Sequence, residues 1–213
     1  MATRILIVDD HRIVREGLRR ILVEARDMEF AGEASTGEEA LAMMKEARPD
    51  VVLLDLSMPR QGGLETLRDL RRRFPNVHVL VLSMHSEEQF GPRVLSAGAS
   101  GYLTKESAPD QLLQAVRRVC AGGKFVSPEL AEILATRLGK PTDSEPHELL
   151  SAREFEVLCL LAAGKTVGEI GEQLSLSVKT ISTYRTRILE KLELKNNAEI
   201  MRYALEHDLS SKT

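Results

Sequence analysis

Over its first 120 or so residues the chain alternates between short apolar runs and stretches of helical periodicity, and few folds accommodate that rhythm. The runs are Ile5–Val8, Glu29–Ala34, Val51–Leu54, Val77–Leu82 and Ser100–Leu103. Between them stand the helical sets Ile13/Gly17/Leu18/Ile21/Leu22, Ala40/Leu41/Met44, Leu64/Leu67/Leu70, Phe90/Val94/Leu95 and Leu112/Leu113/Val116/Val119. Five strands each followed by a helix imply a parallel sheet covered on both faces. The first and third runs are almost uninterrupted Ile, Leu and Val, as expected of strands buried on both sides. Glu29 and Glu33 mark the second run as an edge. The expectation is an α/β domain of flavodoxin-like order over residues 1–122.

The chain then changes character. Gly122-Gly123-Lys124 breaks the fifth helix, and Ser127-Pro128 caps and opens a short helix over about 128–138. Residues 139–147 are rich in breakers and poor in apolar side chains, so 123–148 reads as a linker carrying that short helix. From Leu149 onward every pattern is helical. Ser151 with Glu154 forms a capping box that opens a helix through about Ala163. Further helices run over about Thr166–Leu174, Val178–Leu192 and Asn197–His207, with a tight turn at Leu176-Ser177. Residues 149–213 are thus expected to form an all-α, four-helix domain with helix-turn-helix spacing.

Composition excludes little, but what it excludes is useful. No apolar run reaches the ~18 residues of a membrane span, and Ile5–Val8 is too short for a signal-peptide core, so no membrane role and a cytoplasmic location are expected. Cys120 and Cys159 sit among apolar neighbours and read as small core residues. The formal charge of −3 gives no sign of nucleic acid, yet Lys179–Lys191 sets four bases against the single acid Glu190. The helical half holds no Cys/His pair, acid cluster or phosphate loop, which argues against a catalytic domain.

Chemistry concentrates at the strand ends. The first strand ends in Asp9-Asp10 and the third in Asp55. In a doubly wound sheet these ends converge on the ligand crevice. Carboxylates that close repel unless a cation sits among them, and hard oxygen donors in an open crevice point to Mg2+. Ser83 ends the fourth strand and Lys105 the fifth. A hydroxyl, an ammonium and a metal around one carboxylate make a site for a phosphoryl group, which a carboxylate can accept as an acyl phosphate.

The stretches Ile7-Val8-Asp9-Asp10-His11, Leu54-Asp55-Leu56-Ser57-Met58-Pro59, Leu82-Ser83-Met84-His85 and Gly98-Ala99-Ser100-Gly101-Tyr102-Leu103-Thr104-Lys105 resemble the receiver domains of two-component systems. The resemblance implies that Asp55 accepts phosphate from a sensor histidine kinase. It further implies that Asp10, Asp55 and the backbone carbonyl of Ser57 bind Mg2+ with Asp9 close by. Ser83 and Tyr102 would be the switch pair, the hydroxyl moving toward the phosphate and the ring turning inward. The two glycines of Arg60-Gln61-Gly62-Gly63 point to a mobile loop.

On the third helix of the C-terminal domain, Ile181, Ile188 and Leu192 share one face and should be core. Lys179, Ser182, Thr183 and Thr186 lie opposite, with Arg187 at the flank, where they can reach base edges and phosphates. Leu150-Ser151-Ala152-Arg153-Glu154-Phe155-Glu156-Val157-Leu158, Glu169-Ile170, Ser177-Val178-Lys179-Thr180-Ile181 and Leu189-Glu190-Lys191-Leu192 resemble the LuxR-type helix-turn-helix, and with a receiver the NarL/FixJ regulators. That resemblance implies double-stranded promoter DNA as a partner, read by Lys179, Thr180, Ser182, Thr183, Thr186 and Arg187. Gly168 and Gly171 depart from the family pattern and should each weaken the second helix by about 1 kcal/mol relative to alanine. The fourth helix carries Ile200, Met201, Tyr203, Ala204 and Leu205, more apolar surface than a small domain readily buries, and is expected to form a homodimer face on phosphorylation.

Overall fold

Side chains dictate where the chain turns to sheet. Thr3–Val8 (β1), Met28–Ala34 (β2), Val51–Asp55 (β3), His78–Ser83 (β4) and Gly101–Thr104 (β5) pair entirely in parallel, in the order β2-β1-β3-β4-β5. In this computed structural model residues 2–58, 62–107, 109–137, 146–207 and 209 are described. They divide into two compact units, Met1–Pro141 and Thr142–Thr213.

Helices Arg12–Glu24 (α1), Gly37–Ala47 (α2), Gly63–Arg73 (α3), Glu87–Ser96 (α4) and Pro109–Cys120 (α5) follow the strands in turn. Successive strand residues point to opposite faces. Ile5, Ile7, Val51, Leu53, Leu80, Leu82 and Leu103 therefore meet Leu22 of α1 and Leu112, Val116 and Val119 of α5 in one core. Leu6, Val8, Val52, Leu54, Val79 and Val81 are equally buried, so the central strands are covered on both faces. β2 lies at the edge, as Glu29 and Glu33 foretold.

The expected linker is not one for most of its length. Phe125 pairs with Gly101 of β5, and Pro128–Arg137 (α6) packs on α4 within the first unit. Leu130 of α6 is fully buried. A Cβ at Gly91 would stand 2.6 Å from its Cδ1, so a side chain there would expel it. The sequence pattern shows Gly-Gly-Lys as a break but cannot show that the chain beyond it returns to the sheet. Most of the expected linker segment 139–147 lies outside the described residues. Its end does not: Pro146–Leu149 is a 3-10 turn, held where the His147 N–H donates to the Tyr203 hydroxyl at 3.2 Å.

The second unit comprises Ala152–Ala162 (α7), Val167–Gln173 (α8), Val178–Lys191 (α9) and Asn197–Glu206 (α10). Each start is capped by a side chain: Ser151, Thr166, Ser177 and Asn196 accept the backbone N–H of the third helical residue. The capping box at Ser151/Glu154 forms as expected, and a second forms at Thr166/Glu169. Phe155, Leu158, Ile170, Ile181, Ile188, Leu192, Ile200 and Ala204 fill the core. Cys159 is buried there, Cys120 is half-buried in the first unit, and neither is in a disulfide. Among the described residues no helix is long and apolar enough to cross a membrane.

Candidate functional site

β1 and β3 are neighbours, so their C-terminal ends bring Asp9, Asp10 and Asp55 together. Asp9 and Asp55 are almost completely buried. Lys105, just past β5, reaches across with Nζ 2.6 Å from Asp9 Oδ2 and 3.0 Å from Asp55 Oδ2. Its own position is fixed by its N–H, which donates to the Ser83 carbonyl at 2.8 Å. Ser57 N–H donates to Asp55 Oδ1 at 3.1 Å. Every strand-end residue that the sequence singled out is therefore in one place, except that Asp10 stands nearer the mouth and is partly exposed.

Electrostatics make Asp55 unusual. Burial pushes its carboxyl above the ordinary aspartate range, Lys105 opposes this and Asp9 reinforces it; the balance is upward. Burial alone would lower Lys105, but the facing Asp55 and Asp9 carboxylates outweigh it and hold the ammonium more firmly charged. One cation thus serves two buried carboxylates. Asp55 Oδ2 and Asp10 Oδ1 are also shielded from solvent, and neither is in a hydrogen bond of proper geometry. Three carboxylates with one ammonium among them are what a divalent cation would satisfy, so the residues fit a metal.

Two neighbours went unnoticed in the sequence. His11 Nδ1 lies 2.9 Å from Asp10 Oδ1 and 3.3 Å from Asp9 Oδ1, and ligand atoms of Asp9, Asp10, His11 and Asp55 all fall within 4.8 Å of one another. His85 ties the pocket to Ser83 and Tyr102. Its Nε2 shares a 3.1 Å hydrogen bond with Ser57 Oγ, its N–H donates to Ser83 Oγ at 3.2 Å, and its ring stacks on Phe90 of α4. The Tyr102 hydroxyl donates to the His85 carbonyl at 2.9 Å. Only the position of His85, two residues past the strand end, could have marked it.

Tyr102 is turned inward and fully buried, its phenol pushed up in pKa by that burial. At Gly63 a Cβ would stand 2.1 Å from the Asp55 carbonyl oxygen, so the glycine lets α3 start against the end of β3. Residues 59–61 of that loop lie outside the described residues.

In the second unit, α8 and α9 meet through a left-handed Ser175 (φ 54°). Lys179, Ser182, Thr183, Thr186 and Arg187 are exposed on α9, opposite the buried Ile181 and Ile188. Thr180 is half-buried, and its hydroxyl shares a 2.8 Å hydrogen bond with Ser177 Oγ at the helix start, so it serves the cap rather than the outer face. The expected dimer face is also reduced. Ile200 and Ala204 are fully buried in their own domain, and the hydroxyl of the half-buried Tyr203 is engaged by His147. Met201 and Leu205 remain, 40% and 67% exposed.

Comparison with known proteins identifies both halves. The response regulator receiver domain matches residues 5–117, and the luxR family of bacterial regulatory proteins matches residues 148–204. This chain belongs to the LuxR-type, NarL/FixJ response regulators. It is 40% identical over 207 residues to the response regulator GacA of Pseudomonas viridiflava, covering 97% of each chain. To UvrY of Escherichia coli K12 it is 39% identical over 206 residues, covering 96% of this chain and 94% of the other. Among solved structures, RcsB of Salmonella enterica serovar Typhimurium, bound to a promoter with a phosphomimetic, aligns with a TM-score of 0.60 at 28% identity, covering 95% and 98%. As a response regulator the chain is a transcriptional regulator rather than a typical catalytic enzyme.

Proposed function

We propose that this response regulator receives a phosphoryl group on Asp55 from a sensor histidine kinase and in that state regulates transcription from double-stranded promoter DNA. The observation that carries the reading is the buried trio of Asp9, Asp55 and Lys105, two carboxylates on one ammonium, with a third acid, Asp10, at the mouth. Asp55 Oδ2, 3.0 Å from Lys105, is the nucleophile: its P–O bond forms as the P–N bond to the donor histidine breaks. Lys105 then pairs with the phosphoryl oxygens. Ser83, freed from the His85 N–H, turns its hydroxyl to them, and Tyr102 stays braced on the His85 carbonyl. Asp10, Asp55 and the Ser57 carbonyl would hold Mg2+, whose charge offsets that developing on the transferred group.

On the output side α9 is the recognition helix. Thr183 Oγ1 donates to the Lys179 carbonyl and Thr186 Oγ1 to the Ser182 carbonyl, at 3.0 and 3.1 Å. Their protons are thereby used, so these hydroxyls offer bases an acceptor and a methyl group. Lys179 and Arg187 suit phosphates. Solved relatives include RcsB dimers bound to two parallel DNAs. A homodimer on phosphorylation, seated in part on Met201 and Leu205, gives the two half-sites that one short helix needs.

The test is direct. With Mg2+ and a small acyl-phosphate donor the protein should gain an acid-labile phosphate on Asp55, absent in Asp55→Asn and in chelator. Label mapped to another residue overturns the reading.

A further inference from the structure

We infer that α6 is a releasable clamp on α4, and that a phosphoryl group on Asp55 loosens it. The inference rests on the proposed reading that Asp55 is the phosphoacceptor, and concerns how that event reaches the last helix of the first unit.

Helix α4 is weak by its own sequence. Gly91 and Pro92 stand side by side in its interior. Glycine loses the most backbone freedom in a helix, and proline has no N–H to give the Glu88 carbonyl one turn back. Such a helix depends on packing for its stability, and α6 supplies part of that packing. Leu130 of α6 is fully buried and fills the space over Gly91, where a Cβ would stand 2.6 and 2.7 Å from its two δ-carbons. Among the described side chains of α6 only Leu130 is buried; Ile133 and Leu134 are half-buried and the others exposed. A helix held by so few apolar contacts opens well before the sheet does.

The second attachment of α6 leads back to the pocket. Ser127 caps the helix: its Oγ accepts the Leu130 N–H at 3.1 Å and donates its own proton to Glu87 Oε2. Glu87 opens α4, two residues past His85. The His85 N–H donates to Ser83 Oγ at 3.2 Å, and the His85 ring stacks on Phe90 of α4 with centroids 4.3 Å apart. When Ser83 turns its hydroxyl to a phosphoryl oxygen, the His85 N–H loses its acceptor. The displacement falls on the start of a helix too weak to resist it, and on the two residues, Glu87 and Gly91, at which α6 is held. Coupling of this kind is reciprocal: if the phosphoryl group favours the released clamp, releasing the clamp favours the phosphoryl group by the same factor. Were α6 packed on α4 for stability alone, detaching it would leave the pocket's affinity unchanged.

The experiment uses the full-length chain with Mg2+ and beryllium trifluoride as the phosphoryl mimic. Amide hydrogen exchange is followed by mass spectrometry over α4 and α6, and mimic binding by calorimetry. In wild type the mimic should quicken exchange in α6 about tenfold while β1 and β3 stay protected. Leu130→Ala should exchange that fast without the mimic and bind the mimic about tenfold more tightly. Gly91→Ala should behave the same by filling the socket rather than emptying it, and because alanine favours helix in α4, loss of fold does not explain the result. Unchanged exchange in α6 at saturating mimic overturns the coupling and leaves the phosphoacceptor in place. Variants that release α6 with mimic affinity within about twofold of wild type do the same. A mimic that fails to bind wild type, or that binds Asp55→Asn equally well, overturns the phosphoacceptor reading and the clamp with it.

Discussion

The strand-end pocket and the outer face of α9, the two surfaces to which the proposed function is assigned, are built on opposite terms. In the pocket, charged groups are buried where no packing argument wants them, held by distances of 2.6–3.0 Å. On α9 the working residues are exposed, and an exposed Lys or Thr has a ready structural reason to exist. Burial makes function costly and therefore conspicuous; exposure makes it cheap and therefore inconspicuous. If this contrast is right, pocket substitutions should move stability strongly and in both directions, while α9 substitutions should move binding and leave stability alone.

The largest effect should come from Lys105→Met. It strands Asp9 and Asp55 together without their cation, and breaking a buried pair from one side costs about 3 kcal/mol. Urea unfolding of the first unit in metal-free buffer at pH 7 measures it. The loss should shrink in acid, as protonation relieves the two carboxylates. A change under about 0.5 kcal/mol would mean that water, not Lys105, balances the acids.

Asp55→Asn should act the other way. Because the folded pKa of Asp55 is raised, its ionised form opposes folding: the cost is full above that pKa and disappears as pH falls through it. Replacing it should stabilise metal-free protein by about 1 kcal/mol near neutrality, and the gain should fade toward pH 4. A gain that grew in acid would reverse the assigned direction of the shift.

The same contrast explains what could be read from the sequence. The five strands, their order and the convergence of Asp9, Asp10, Asp55, Ser83 and Lys105 were legible because short continuous apolar runs mark buried strands and their ends, and parallel topology puts those ends on one edge. His11 and His85 were not, since each lies in a loop where no periodicity places a side chain. Helix α6 was foreseen but its packing on α4 was not, for a related reason: it depends on Gly91 leaving room for Leu130, a match between residues 39 positions apart in the chain. Ile200 and Ala204 were taken as surplus because the capacity of a small core cannot be counted from one helix. Lys191, recognised only as part of a motif, proves to be the partner of the buried Glu154 at 2.6 Å. Burial raises that glutamate, but Lys191 and the Ser151 N–H more than compensate, and its carboxyl ends below the usual range.

On α9 the expected changes are in DNA binding. Lys179→Ala should weaken binding to all duplexes and lower the salt slope by about one unit. Thr183→Ala and Thr186→Ala should shift base preference, each by about 1 kcal/mol of discrimination. Stability should stay within about 0.5 kcal/mol for all three. Fluorescence anisotropy on matched and scrambled operators at several salt concentrations checks the first two statements, and thermal melting the third. Identical behaviour of the lysine and threonine variants would mean that α9 is rotated from the assigned face.

The smallest effect tests whether constraint is confined to the pocket. Gly168 and Gly171 lie three residues apart on α8, and helix propensity alone assigns both the same gain on replacement by alanine. Their surroundings differ. A Cβ at Gly168 would meet nothing closer than the Thr166 hydroxyl at 3.8 Å, so Gly168→Ala should stabilise the second unit by roughly 0.5–1 kcal/mol. A Cβ at Gly171 would stand 2.8 Å from the Leu176 carbonyl oxygen, which accepts no such approach without moving the turn into α9. Gly171→Ala should therefore yield no gain and a net loss, with weaker operator binding because α9 is displaced. Gly171 is then the counterpart of Gly63 beneath Asp55: each admits a backbone approach on which a working surface depends. Melting curves of the two variants separate the cases. Equal stabilisation by both would show that the turn yields freely, and that close packing governs only the receiver half of the molecule.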